Sequence, residues 1–284
     1  MTVREGTRPK SVGGALVDWL AEVPWWVVII IVLITLFVGR ILTSPQEREL
    51  YWKALQFVTA CPQGQETCAV WDRIGVMLTL KATVVGYALA LVLGLIGGLF
   101  RVSKNPVTYA ISTLYVEVVR GIPLLVIIMY AGYVITPALR DATNQQVDLR
   151  GFPSAVLGLA FGYGAYLAEV FRAGIESIPK GQMEAARSLG MSYPQAMRYV
   201  ILPQAIRVIL PPLGNNFIAM LKDSSLISVI ALPDLLQQGR LFVSRTFRAF
   251  EGYNTVALLY LLMTLILSII VRLIERKSAL PGRL

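Results

Sequence analysis

The sequence predicts an all-α integral membrane protein with six transmembrane helices. Apolar residues make up 56% of the 284 residues, and charged residues only 15%, against about 25% charged in soluble domains. Mean hydropathy is +0.64. Six segments reach the roughly 20 apolar residues that a helix needs to cross a bilayer. They are Pro24–Leu42, Ile74–Phe100, Val107–Thr136, Ser154–Arg172, Ala205–Leu232 and Tyr253–Ile274. No stretch between them is long enough to build a soluble domain.

The first segment begins after Arg4, Arg8 and Lys10, and Trp25 and Trp26 suit an interfacial anchor at its start. No small-residue cleavage site follows, so it is expected to be a retained anchor and not a signal peptide. Placing the N-terminus inside puts fourteen Lys and Arg on the inner side and nine on the outer. Both termini are then expected to be cytoplasmic. The net charge of +9 follows largely from this asymmetry. No basic run is interleaved with aromatics, so nucleic acid is not an expected partner.

The chain has no His. That excludes Ser-His-Asp triads, His acid–base chemistry and His metal sites, and no metal site is expected. It also has no Gly-Lys pair, hence no phosphate-binding loop, and is not expected to be an ATPase. Cys61 and Cys68 fall in the first outer loop, with Pro62 and Gly64 favouring a turn between them. On the oxidising side a disulfide is expected, with two free thiols as the alternative.

Three membrane segments carry polar residues. In the third, Glu117 and Arg120 stand three apart and share a helix face, so they can pair. Gly121 and Pro123 then loosen the helix. In the fourth, Tyr163, Tyr166 and Glu169 follow Gly162 and Gly164, either as a packing seam or facing a pathway. The fifth holds Pro211-Pro212-Leu213-Gly214-Asn215-Asn216-Phe217 and then Lys222-Asp223-Ser224. Two prolines and a glycine are expected to break this helix, as at transporter substrate sites. The alternative is a mere kink, with Lys222 neutralising Asp223.

Between the fourth and fifth segments lies a polar stretch. Pro179 and Gly181 punctuate a short helix, and Gly190 can end it in the left-handed conformation. Ser192 is a fair N-cap for a second helix, which Pro203 is expected to stop. Glu184-Ala185-Ala186, three residues, Gly190, nine residues, Val200-x-Leu202-Pro203 resembles the Glu-Ala-Ala loop of ABC importer permeases. Val200 replaces an Ile of that pattern. Tyr115-x-Glu117-x-x-Arg120-Gly121-x-Pro123-Leu124-Leu125-Val126 is similar to a signature of the polar amino-acid permeases of histidine, glutamine and arginine type. Leu210–Phe217 and Leu221–Leu226 also resemble that family.

The resemblance implies a five-helix type I ABC importer core over residues 74–276. Residues 1–73 would add a cytoplasmic N-terminus, an extra helix and the Cys-bearing periplasmic loop, and 277–284 a cytoplasmic tail. The implied function is ATP-driven import of polar or general L-amino acids by alternating access in a bacterial inner membrane. An ion channel or ion-coupled carrier is the alternative. The implied pathway residues are Glu117, Arg120, Tyr163, Tyr166, Glu169, Asn215, Asn216, Phe217, Lys222, Asp223 and Ser224. Gln182, Glu184, Ala185, Ala186, Leu189 and Gly190 would couple to the ATPase. The implied partners are a second permease subunit, two ATPase subunits, a periplasmic amino-acid-binding protein and the lipid bilayer. This chain would bind no cofactor, and ATP and Mg would sit on the ATPase.

Overall fold

The computed structural model describes residues 25–62 and 68–278. Arg4, Arg8 and Lys10, the Gly64 turn and Arg283 lie outside these residues. The chain divides into two compact units, one up to Lys53 and one from Ala54 onward.

In the first unit, α1 (Trp25–Thr43) is followed by α2 (Pro45–Val58), whose last turn belongs to the second unit. Pro45 disfavours helical geometry at Ser44, and this ends α1. Leu33 and Leu36 of α1 are well over half exposed, an apolar surface suited to lipid.

The second unit contains α3 (Val76–Val102), α4 (Pro106–Gly121), α5 (Leu124–Ala142) and α6 (Phe152–Glu176). Then come α7 (Lys180–Ser188), the turn Tyr193–Ala196, α8 (Leu202–Asp223) and the 3-10 stretch Ser224–Ile230. It ends with α9 (Leu235–Thr246) and α10 (Ala249–Ser278). Among the described residues, α3, α5, α6 and α10 are long and apolar enough to cross a membrane.

The centre is α6, packed in parallel against α3. Ala82, Gly86, Ala90, Gly94 and Gly98 place a small residue at every fourth position of α3, on one face. Gly86 lies against Leu159, Gly94 against Leu167 and Gly98 against Phe171. A Cβ at Gly98 would stand 2.8 Å from the Ala168 carbonyl oxygen, so the backbones approach as closely as glycine allows. Ile128 of α5, Met220 of α8 and Ile227 complete the core around Leu159 and Tyr163. The opposite face of α3 exposes Val84, Val92 and Ile96, as a lipid-facing helix should.

Three expectations are corrected. The third apolar segment is two helices, because Pro123 forces Ile122 into an extended conformation (φ −103°, ψ 133°). Pro211 and Pro212 do not break α8, which is helical through both. Adjacent prolines remove only two consecutive ladder bonds, to the Arg207 and Val208 carbonyls, and their φ already suits a helix. The chain leaves the α-helix later, at Ser224, and reaches a left-handed Ala231 (φ 58°). Pro203 does not stop a helix either. A π-helical turn, Met197–Ile201, carries the chain directly into α8. The wider turn makes room for a ring that would otherwise strike the carbonyl four residues back. The same device recurs in α5, where the π turn Ala131–Ile135 ends two residues before Pro137.

Candidate functional site

A cavity of about 370 Å³ opens between α4, α6 and α8. Arg120, Tyr166, Glu169, Val208, Pro212 and Asn216 line it. The structure thus brings together four residues that the sequence singled out, from three separate segments. Arg120 lies over the Tyr166 ring, with its guanidinium carbon 5.6 Å from the centroid. Among the described residues it makes no ion pair. Asn216 Nδ2 donates to the Pro212 carbonyl oxygen at 2.8 Å, which directs the amide of a helical Asn back along α8.

Glu169 is held from two sides. Arg101 Nη1 donates to its Oε2 at 3.0 Å, and Arg172 Nε donates to both of its oxygens at 3.0 and 3.1 Å. Arg172 also pairs with Glu176, and Arg101 Nη2 lies 3.5 Å from Glu117 Oε1. Alternating charges therefore tie α3, α4 and α6 together. The expected Glu117–Arg120 pair does not form, because Arg101 from α3 reaches Glu117 while Arg120 turns to Tyr166. Spacing of three permitted the pair, but a neighbouring helix supplied a different partner.

Deeper along α6, Tyr163 Oη donates to Asp223 Oδ2 at 2.7 Å. Lys222 does not pair with Asp223; it is exposed, and successive residues leave a helix about 100° apart. Tyr87 Oη donates to the Leu213 carbonyl oxygen at 2.6 Å, and its ring packs on Phe217 at 4.8 Å. Phe217 packs against the core, and Ser224 Oγ donates to the Leu221 carbonyl. Asn215 is exposed and lies outside the cavity lining. Arg101 and Tyr87 were not singled out from sequence as site residues. Their signal was a lone Arg closing an apolar helix and a lone Tyr inside one.

In the polar loop, α7 ends in a Schellman motif. Met191 N–H donates to the Ala186 carbonyl at 3.2 Å and Gly190 N–H to the Arg187 carbonyl at 3.0 Å. Gly190 has φ +82°, a region that only glycine enters without strain. Ser192 N–H donates to Gln195 Oε1 in a capping box, and Pro194 occupies the first turn. Gln204 Nε2 donates to Gln182 Oε1 at 3.3 Å, which fastens α7 to the start of α8. Glu184, Ala185 and Leu189 are exposed, Leu189 by 81%. Ala186 is turned inward at 3% exposure and packs within its own chain.

Cys61 and Cys68 are joined by a disulfide with Cα atoms 5.8 Å apart. Beside it, Arg245 lies over the Phe57 ring at 5.4 Å. In the loop before α6, Arg150 grips Asp148 and holds its carboxyl down at about 2.

Residues 90–279 match the family described as binding-protein-dependent transport system inner membrane component. The chain is 38% identical over 214 residues to the glutamine transport system permease protein GlnP of Escherichia coli (strain K12), covering 74% of this chain and 95% of that protein. It is 42% identical over 201 residues to the probable glutamine ABC transporter permease protein GlnM of Bacillus subtilis (strain 168), covering 70% and 89%. A solved structure described as an amino acid ABC transporter with histidines matches at TM-score 0.64 and 41% identity, covering 72% of this chain and 92% of that one. An inward-facing structure of the MetNI methionine ABC transporter matches at TM-score 0.61 and 23% identity, a likeness of fold alone. The chain therefore belongs to the family of binding-protein-dependent transport system inner membrane components.

Proposed function

We propose that this chain is the permease subunit of an ATP-driven importer of polar or general L-amino acids, working by alternating access. One observation supports this most. The cavity between α4, α6 and α8 presents Arg120 without an ionic partner among the described residues, beside the Tyr166 ring and the Asn216 amide. An amino-acid carboxylate matches the guanidinium by charge and by bidentate geometry. The amide and the ring face suit the ammonium and the side chain. Glu169 is committed to Arg101 and Arg172, so its role is to fix the wall and not to bind the ammonium.

Residues 74–276 act as the transmembrane domain, with residues 1–73 and the 277–284 tail as additions. Both termini lie in the cytoplasm of a bacterium, and the disulfide faces the periplasm. A second permease subunit completes the pathway, two ATPase subunits supply hydrolysis, and a periplasmic protein delivers the amino acid. The exposed part of α7 (Gln182, Glu184, Ala185 and Leu189) touches the ATPase, and Gly190 shapes the turn behind it. The test is uptake into proteoliposomes holding the purified complex. ATP-dependent accumulation of L-glutamine or a related polar amino acid is expected. Uptake that proceeds equally without ATP would transfer the chain to the channel or carrier class.

A further inference from the structure

Apart from the residues that line the cavity, four oxygen-bearing side chains converge where α3, α8, α9 and α10 meet. Asp234, Thr79 and Ser224 are each 0% exposed. Backbone bonds hold each in place. Asp234 caps α9, with Oδ1 accepting from Gln237 N–H at 3.0 Å and Oδ2 from Leu236 N–H at 3.2 Å. Thr79 Oγ1 accepts from Leu235 N–H at 3.1 Å. Ser224 Oγ donates to the Leu221 carbonyl, which turns its lone pairs away from that bond. The Tyr260 hydroxyl lies close to Thr79, Ser224 and Asp234. The hydroxyl is buried and within hydrogen-bonding reach of those three oxygens, so its one proton serves one of them and its lone pairs stay in the cluster. The backbone around the cluster is pinned, because Gly75 N–H donates to the Pro233 carbonyl at 2.8 Å.

Charge does not balance here. Asp234 makes no ion pair among the described residues; Arg240, further along α9, acts on it only at a distance. A buried carboxylate without a counter-charge is costly. Protonation is opposed by the two N–H donors and by the N-terminus of α9, which favour the anion. Ser224 brings the end of α8 to the same cluster, where the chain passes into the 3-10 stretch.

We infer that Asp234, Thr79, Ser224 and Tyr260 form a binding site for one dehydrated alkali-metal cation, which ties the last two membrane helices to α3. The donors are all hard oxygens, suited to a hard cation and not to a transition metal. A single carboxylate matches a single positive charge. Divalent binding would call for more acidic ligands, and no cluster of three His, Cys, Asp or Glu exists among the described residues.

Thermal unfolding of the full-length chain, purified with its ATPase, tests this at pH 8. NaCl and KCl are compared with choline chloride at equal ionic strength. Either metal ion is expected to raise Tm by about 2–4 °C over choline. Asp234→Asn should abolish that rise. Tyr260→Phe keeps the ring packing and should reduce the rise at least by half; it decides the matter if the Asp234 variant does not purify. Equal Tm in all three salts for the unmodified chain would overturn the inference, including the case where Tm varies only with pH, because that marks a proton site. A rise retained in full by both variants would overturn it too. The readout is stability, so it stands apart from any failure of amino-acid uptake.

Discussion

The Tyr163 hydroxyl donates to Asp223 Oδ2 across 2.7 Å, joining the middle of α6 to the last residue of α8. Asp223 is also where the chain changes from α to 3-10 geometry. The bond therefore fixes the end of a helix whose start is fastened to the polar loop through Gln204 and Gln182. Tyr163→Phe removes the bond and keeps the ring. Bonds to charged groups contribute about 1.5–3 kcal/mol. Tm of the purified complex is expected to fall by several degrees, and an unchanged Tm would show that the bond does not form.

The α3–α6 seam depends on glycine at specific places. Gly98→Ala puts a methyl 2.6 Å from Phe171 Cβ and 2.8 Å from the Ala168 carbonyl oxygen, neither of which can yield cheaply. Overpacking of this kind costs about 1–3 kcal/mol. Gly181→Ala meets nothing within 4 Å and is expected to be neutral or slightly stabilising, since alanine favours helix. Paired melting curves for the two variants check the contrast.

The turn at Gly190 is expected to matter through backbone conformation alone. A Cβ there meets nothing within 4 Å, but φ is +82°. Gly190→Val costs on the order of 1–2 kcal/mol in the left-handed region, enough to unwind the Schellman turn. Substrate-stimulated ATPase activity should drop at least tenfold with membrane insertion intact. Gly190→Asn, better tolerated at positive φ, should keep most of it. Equal activity in both variants would remove the loop from the coupling path.

The two neighbouring asparagines should separate. Asn216 lines the cavity and Asn215 does not. Asn216→Ala is expected to lower uptake severalfold, while Asn215→Ala stays within about twofold of the unmodified chain. Uptake assays on both variants, normalised to complex in the membrane, decide it. The reverse order would place the pathway on the other face of α8.

Much of this was legible in the sequence because membrane helices and glycine turns are local. Unbroken apolar length set out α3, α6 and α10, and the spacing from Glu184 to Gly190 marked a helix with a left-handed end. What the sequence concealed was which groups meet across helices. Glu117 stands three residues from Arg120 but meets Arg101, which is sixteen residues earlier and packs alongside. Proline was misread for a different reason. Its effect depends on the turn that precedes it, and π turns before Pro137 and Pro203 absorb rings that a regular helix could not. Nothing local to Asp234 reveals that Thr79, Ser224 and Tyr260 will surround it.

The most direct test of the central claim is uptake of labelled L-glutamine by the reconstituted complex carrying Arg120→Ala. If Arg120 receives the substrate carboxylate, uptake should fall by at least tenfold, consistent with loss of a charge-assisted bond. Basal ATPase activity should persist, and Arg120→Lys should recover only part of the uptake, because a point charge does not replace a planar fork. Full uptake by Arg120→Ala, with the complex assembled and hydrolysing ATP, would contradict the assignment of this cavity to the amino-acid path.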